Sequence, residues 1–155
     1  MKRRVKMGYR TVDEFNGFDF KDAHVTSMER RNGHFIAVLD DVKILPSNSC
    51  NRDIREMRTN ELVLKLNDAV VEEFILEGCK IYDADGVLQE EREDTAVELS
   101  EYDKTLKEME DRYIYEITKE NDIYTIYIDG DEDSYMIKVK ASHDTQEWEK
   151  FMSKE

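Results

Sequence analysis

Three aspartates crowd one predicted turn near the end of the chain. Asp129, Asp131 and Asp133 alternate in the run DGDEDS, and hard cations such as Ca²⁺ bind several carboxylate oxygens in loops of this kind. The run lacks the EF-hand glycine at its sixth position, and Lys140 stands where that motif places its final glutamate. We therefore interpret the run as a solvated hairpin tip, whose three aspartates are the best metal candidates in the sequence without forming a recognisable metal motif.

The histidines and cysteines have no spacing that supports catalysis. His24, His34 and His143 are far apart, and no HxH, HxxH or HExxH pattern occurs. Cys50 and Cys79 form no CxxC pair, and neither a GxSxG motif nor a glycine-rich phosphate loop is present. We therefore expect no catalytic residue and no cofactor. A metal-dependent hydrolase stays open as an alternative, because carboxylates from separate loops leave no pattern in sequence order.

Acidic residues are concentrated between positions 89 and 111, which hold ten acidic and three basic residues. An acidic segment of this kind attracts a basic partner and speeds its encounter. Its densest part consists of Glu90, Glu91, Glu93 and Asp94, which we take as candidate partner-binding residues. The competing interpretation is a charge run that only faces solvent.

Tyrosines provide a second candidate surface. Tyr115, Tyr124 and Tyr127 lie on two neighbouring predicted strands, and tyrosine beside an acidic rim is typical of protein-binding surfaces. The alternation predicts that Tyr115 shares a face with Ile117, while Tyr124 and Tyr127 lie on opposite faces. Because tyrosine is also a good strand former, the alternative is that these rings cover the core.

The charge balance restricts the possible partners. The chain carries 23 basic and 37 acidic residues, a formal net charge of -14. Such a surface repels nucleic-acid phosphates and anionic lipid, so we expect neither nucleic acid nor a membrane as partner. It attracts a basic protein, although the same charge also serves solubility alone. The oligomeric state stays open.

Basic residues are concentrated at the start of the chain. Residues 1–10 hold five basic residues and no acidic one, so we treat 1–10 as a basic N-terminal arm and 11–155 as one β-rich domain. No apolar run follows as in a signal peptide, and none approaches the roughly 18 residues of a membrane helix. We expect a cytoplasmic protein.

Turns built from asparagine and aspartate separate the strand-like segments. Asn32-Gly33 predicts a two-residue hairpin loop whose register pairs Arg31 with His34, because both loop residues tolerate positive φ. The alternation of ELVLKL predicts a half-buried strand, and Asp85-Gly86 predicts a second hairpin. A three-stranded antiparallel meander is predicted over residues 113–120, 123–130 and 135–141.

Two short helices complete the expected fold. One has the apolar face formed by Tyr102, Leu106 and Met109. The other, at the C-terminus, has the face formed by Trp148, Phe151 and Met152. The expected class is mainly β, with seven or eight antiparallel strands in a sandwich or open barrel and a short C-terminal helix; α+β is the alternative.

Two stretches of the chain resemble each other loosely. Residues 23–44 and 112–139 both contain a strand, an asparagine turn, a second strand and an acidic pair. We interpret this as recurring hairpin chemistry, since two hairpins of similar length do not establish a repeat.

The run FDFKDAHVTSMERRNGHFIAVLDDVKIL, residues 18–45, resembles the opening of small β-rich bacterial proteins of the toxin-immunity type. In those proteins an aromatic-x-Asp-x-x-hydrophobic start precedes a strand, a turn and a long apolar strand. The similarity is carried by Phe20, Asp22, Ala23, Val25, Phe35, Ile36, Val38 and Leu39. The resemblance implies an intracellular binder that occludes a toxin without catalysis, and it assigns no residue a role.

These observations together favour a non-enzymatic intracellular binding protein whose acidic surface meets a basic protein partner. The alternatives are the metal-dependent hydrolase and a small-ligand-binding β module with a tyrosine-lined pocket.

Overall fold

The computed structural model describes residues 8–152, in which the chain forms antiparallel sheets. Strands account for 55% of the structure and helices for 8%, which confirms the predicted mainly β class. The strands are β1 (Tyr9–Val12), β2 (Phe18–Asp19), β3 (His24–Arg31), β4 (His34–Asp40), β5 (Val42–Ile44), β6 (Met57–Thr59), β7 (Leu62–Asn67), β8 (Val70–Leu76), β9 (Cys79–Tyr82), β10 (Leu88–Arg92), β11 (Thr95–Ala96), β12 (Tyr113–Glu120), β13 (Ile123–Asp129), β14 (Ser134–Lys140) and β15 (His143–Trp148).

Ten of these strands form one sheet, in the order β1-β15-β7-β4-β3-β12-β13-β14-β8-β11. The sequence predicts a sandwich or open barrel, and the sheet is not closed into a barrel, which is consistent with a sandwich or open β fold. Strands β2, β5 and β6 form a small second sheet, and β9 pairs with β10 in a separate hairpin. The predicted number of seven or eight strands is too low, because segments of two or three residues such as β2, β6 and β11 are too short to show a period.

The hydrophobic core lies against one face of the large sheet. Leu62, Leu64 and Leu66 of β7 are completely buried, as their alternation predicts, and Phe35 of β4 and Ile126 of β13 belong to the same core. Each of these side chains contributes about 1.5–3 kcal/mol through removal of apolar surface from water.

The first hairpin has the predicted turn and register. Asn32 and Gly33 have φ values of 52° and 78°, and Arg31 pairs with His34. The hairpin at Asp85-Gly86 and the meander of β12, β13 and β14 are also confirmed.

Helices are short and differ in part from the prediction. The helix α1 (Tyr102–Lys107) forms where it is expected, packs on β3 and buries Leu106, with Met109 buried just after it. Two 3-10 helices lie at Phe15–Gly17 and Leu99–Glu101. The predicted C-terminal helix is wrong, because His143–Trp148 is strand β15, paired with β7 on one side and β1 on the other.

The large sheet has an approximate internal two-fold arrangement. The β3–β4 and β12–β13 hairpins each turn at an asparagine with positive φ, Asn32 and Asn121. Each hairpin also has one bulge, between Val25 and Ser27 in β3 and between Ile114 and Glu116 in β12. The two similar stretches of sequence are therefore equivalent elements of the fold, and interpreting them only as recurring turn chemistry understated their relation.

The outer strands of the two halves are exchanged. The last strand of the first half, β8, pairs with β14 of the second half. The last strand of the second half, β15, pairs with β7 of the first half. Each half of the chain therefore completes the sheet of the other.

The basic N-terminal segment is only partly described. Residues 1–7 of the predicted arm lie outside the described residues. Arg10 belongs to β1, where it pairs with Glu147 of β15 and its Nε lies 3.4 Å from the Glu147 carboxylate. The predicted boundary of the arm at residue 10 is therefore too late, because the sheet already includes Tyr9.

Candidate functional site

A protruding hairpin carries the four acidic candidates. We name residues 78–94, which contain β9 and β10, the acidic hairpin. It holds six acidic and two basic residues, and every residue from 80 to 96 is exposed. Glu90 and Glu91 lie within β10, and Glu93 and Asp94 follow it directly. The densest part of the acidic segment therefore begins on a strand.

Apolar side chains are exposed on the same hairpin. Their exposed fractions range from 42% to 56%, and they are Ile81, Tyr82, Val87 and Leu88. Tyr82 and Leu88 are directly paired across the two strands. Large apolar side chains clustered on an ordered, solvent-exposed element mark interaction sites more often than single exposed residues do.

The tip of the acidic hairpin is organised by one carboxylate. Oδ1 of Asp83 accepts hydrogen bonds from the backbone N–H groups of Asp85 and Val87, both at 2.9 Å. Its Oδ2 accepts a further bond from Gln89, and Gly86 has a φ of 80°. These bonds satisfy the turn locally, so the tip of the hairpin is a defined element.

The base of the acidic hairpin joins the large sheet through Gly78. The backbone N–H of Gly78 donates a 2.7 Å hydrogen bond to Asp94, and that of Glu77 donates to the Ser134 carbonyl oxygen at 2.9 Å. A Cβ on Gly78 would overlap the Arg92 carbonyl oxygen. Burial, together with the charges of Asp94 and Asp129, raises the pKa of Glu77 above its usual 4.5.

An acidic cleft lies beside this base. Its volume is about 560 Å³, and it is lined by Glu108, Glu110, Asp111, Arg112, Tyr113, Asp129, Gly130, Asp131, Glu132 and Asp133. The guanidinium of Arg112 pairs with Asp133 and lies 5.2 Å from the centre of the Tyr135 ring. The backbone N–H of Glu77 bonds to Ser134, whose hydroxyl bonds to Asp129 of the cleft, so the cleft adjoins the base of the acidic hairpin.

The three metal candidates all line this cleft. Asp129 accepts a 2.9 Å hydrogen bond from the Ser134 hydroxyl, and Asp133 is paired with Arg112. Within residues 8–152, no group of three or more His, Cys, Asp or Glu side chains is arranged to hold a metal ion. The described carboxylates are thus engaged with protein partners or spread along the rim.

The three candidate tyrosines have different positions. Tyr115 lies at the β12 bulge and is 53% exposed, so it does not share a face with Ile117, which packs against the core. Tyr127 is partly exposed on the opposite face of the sheet from the core. Tyr124 is 1% exposed, so its assignment to a binding surface is wrong.

Tyr124 belongs instead to a buried polar network. Its hydroxyl donates a 2.6 Å hydrogen bond to Asp144, which is completely buried and also accepts bonds from Lys119 at 3.2 Å and Gln146 at 2.6 Å. Burial, followed by the hydrogen bond to Asp144, raises the pKa of Tyr124 well above its usual 10. The buried carboxylate is thereby paired and hydrogen-bonded, as a buried charge must be to be tolerated.

The sequence contained a signal for this burial. Aligning Asn121 with Asn32 places Tyr124 at the position of Phe35, which lies in the core. No comparable signal identifies Asp144, because a polar residue on a strand is ordinarily assigned to the solvent-facing side.

A separate cleft bears on the ligand-binding alternative. Its volume is about 470 Å³, and it is lined by Tyr9, Cys50, Asn51, Arg52, Asp53, Met57 and Phe151. One tyrosine, Tyr9, is among its lining residues, and Tyr115, Tyr124 and Tyr127 are not.

None of the helices in the described part of the chain is long and apolar enough to cross a bilayer. Comparisons of the chain with protein-family models, with curated proteins and with solved structures give no match.

Proposed function

We propose that this protein is a non-enzymatic intracellular binding protein that docks a basic protein partner through the acidic hairpin. The observation that carries the proposal is the coincidence of exposed apolar side chains with excess negative charge on one ordered, protruding element. Apolar anchors supply binding energy, while the surrounding charge selects and steers the partner.

The acidic hairpin and the adjoining cleft both carry excess negative charge, so both attract a basic partner. The Nε of Arg92 lies 3.6 Å from Oε1 of Glu90, and the Nζ of Lys80 lies 3.7 Å from Oε1 of Glu91. These two cations offset part of the negative charge of the hairpin. Glu93, Asp94 and the cleft carboxylates leave the surface strongly negative. A partner that is rich in lysine or arginine fits this surface, and a nucleic acid does not.

A toxin-immunity role is one form of this function. The resemblance of residues 18–45 to proteins of that type implies a binder that occludes its target. Occlusion requires a protruding or complementary surface and no catalytic group, and the acidic hairpin has the shape and the chemistry for such a task.

The test compares two charge-swapped variants with the unaltered protein. One variant is E90K/E91K/E93K on the acidic hairpin; the matched control, E72K/E120K/E149K, makes the same charge change at exposed residues elsewhere. Each protein is immobilised and exposed to a lysate of its source, and retained proteins are identified by mass spectrometry. We expect one basic protein to be retained by the unaltered protein and the control and lost from the hairpin variant. Equal retention by both variants would contradict the proposal.

A further inference from the structure

The outer face of the large sheet, next to the acidic hairpin, carries a row of apolar side chains. Tyr127, Met136 and Ile75 are directly paired across β13, β14 and β8, and Ala96 of β11 pairs with Ile75. Their neighbours along each strand, such as Ile126, Ile137 and Phe74, point into the core. Because side chains alternate between the faces of a sheet, the row faces away from the core. We name these four residues the apolar row.

Charged positions border the apolar row on both sides. Towards the acidic hairpin, Asp129 of β13 pairs with Ser134 of β14. The backbone N–H of Glu77 donates a hydrogen bond to the Ser134 carbonyl oxygen. On the other side, Lys138 and Glu73 form an ion pair with 3.1 Å between Nζ and Oε2. The apolar row is therefore a bounded strip whose acidic border is continuous with the base of the hairpin.

The other half of the sheet, around β4 and β7, provides an internal comparison. The equivalent row there runs from Val38 to Val63 and then to Glu147 and Arg10. It is shorter, since Glu147 and Arg10 form an ion pair at the position where the apolar row has Ile75 and Ala96. The fold itself therefore does not require an apolar strip of this length, and within residues 8–152 the longer of the two rows lies on the side that bears the acidic hairpin.

We infer that the apolar row is the second part of the docking surface and that the partner binds it with a segment carrying both apolar and basic side chains. This inference rests on the proposed function. The apolar side chains of that segment would cover Tyr127, Met136 and Ile75, while its basic side chains would face Asp129, Glu77 and the acidic hairpin. Charge complementarity indicates that the partner's segment is basic, and the apolar row gives its apolar side chains a surface to bury against.

Two synthetic peptides of equal length and charge serve as probes, one alternating lysine with valine and the other alternating lysine with serine. The variants are Y127S/M136S on the apolar row and the control V38S/V63S at the equivalent positions of the other half. Affinities are measured by fluorescence anisotropy, and the fold of each variant is checked by circular dichroism. If the double variant does not fold, M136S is used with V63S as its control.

We expect the lysine–valine peptide to bind the unaltered protein about tenfold more tightly than the lysine–serine peptide, because only the former buries apolar surface. The difference should persist in V38S/V63S and disappear in Y127S/M136S. Equal affinity for the two peptides, equal losses in both variants, or no binding of either peptide would overturn the inference. In each of these cases, selective loss of a basic protein from E90K/E91K/E93K in the lysate experiment would leave the proposed function standing.

Discussion

Tyr124 is held in the core by its hydroxyl group as well as by its ring. The hydroxyl is one of the donors to the buried carboxylate of Asp144. Removing it in Tyr124→Phe leaves that acceptor with one fewer partner, and we expect a loss of about 1–3 kcal/mol in the free energy of unfolding. Urea denaturation followed by circular dichroism measures it. Tyr127→Phe is the control, because Tyr127 is partly exposed and its change should stay within about 0.5 kcal/mol. Equal effects of the two changes would contradict the assigned role of the Tyr124 hydroxyl.

Glu77 should make the protein less stable as the pH rises. Burial and the charges of Asp94 and Asp129 raise its pKa in the folded state above the usual 4.5. The folded protein then binds this proton more tightly than the unfolded chain does, so the associated stability is present at low pH and is lost as the pH rises through the raised pKa. Glu77→Gln removes this effect. We expect its stability advantage over the unaltered protein to grow between pH 4 and pH 7, measured by thermal melts; a constant difference would contradict the pKa shift.

Among single residues, the sequence identified chemical character better than position. The charges of Glu90, Glu91 and Glu93 follow directly from the sequence, and their exposure follows from their charge. Tyr124 and Asp144 lie on different strands and share a buried hydrogen bond, which the pattern of either strand alone does not predict. Predicting the burial of each residue separately does not reveal a hydrogen bond between two residues on different strands.

At the level of elements, Gly78 controls the acidic hairpin. A methyl group there would meet the backbone of Arg92 and Glu93, which cannot move without shifting the end of β10 away from the beginning of β9. We expect Gly78→Ala to increase hydrogen exchange of residues 79–92 and to weaken partner retention, while the large sheet keeps its protection. Gly86→Asn is the control, since nothing lies near that position and asparagine tolerates the left-handed backbone. Unchanged exchange in Gly78→Ala would contradict the close approach at the base.

The elements that sequence predicted correctly are those specified locally. A two-residue turn fixes the register of the β3–β4 hairpin, and the leucines of β7 specify its buried face. The C-terminal strand was missed because β15 buries three consecutive polar residues, Asp144, Thr145 and Gln146, so it shows no alternation of apolar and polar residues. Trp148 and Phe151 are three residues apart, a spacing typical of one face of a helix, and this led to the wrong prediction.

The fluorescence of Trp148 tests this placement of β15. Trp148 is the only tryptophan in the chain, is completely buried, and is surrounded by Tyr9, Phe18 and Phe151. We expect a blue-shifted emission that resists quenching by acrylamide until the protein unfolds. A tryptophan on the exposed edge of a terminal helix would instead be quenched readily in the native state, and that result would contradict the strand.

At the level of the whole molecule, the exchange of outer strands should make the two halves inseparable. The β8 strand of the first half is paired with β14, and β15 of the second half is paired with β7. The buried residues Phe74 and Trp148 therefore belong to the core of the half opposite to their own in sequence. Neither half has a complete sheet alone, so folding of one half depends on the other.

A cut in the acidic hairpin tests this dependence. A protease site inserted between Asp85 and Gly86 lies in an exposed turn, where insertions are best tolerated. After cleavage we expect the two fragments to stay together in gel filtration and to unfold in one transition whose midpoint rises with protein concentration, because folding has become a bimolecular association. The uncut insertion variant is the control, and its midpoint should not depend on concentration. Fragments that separate under native conditions would show that each half folds alone, which the exchanged pairing of β8 and β15 does not permit.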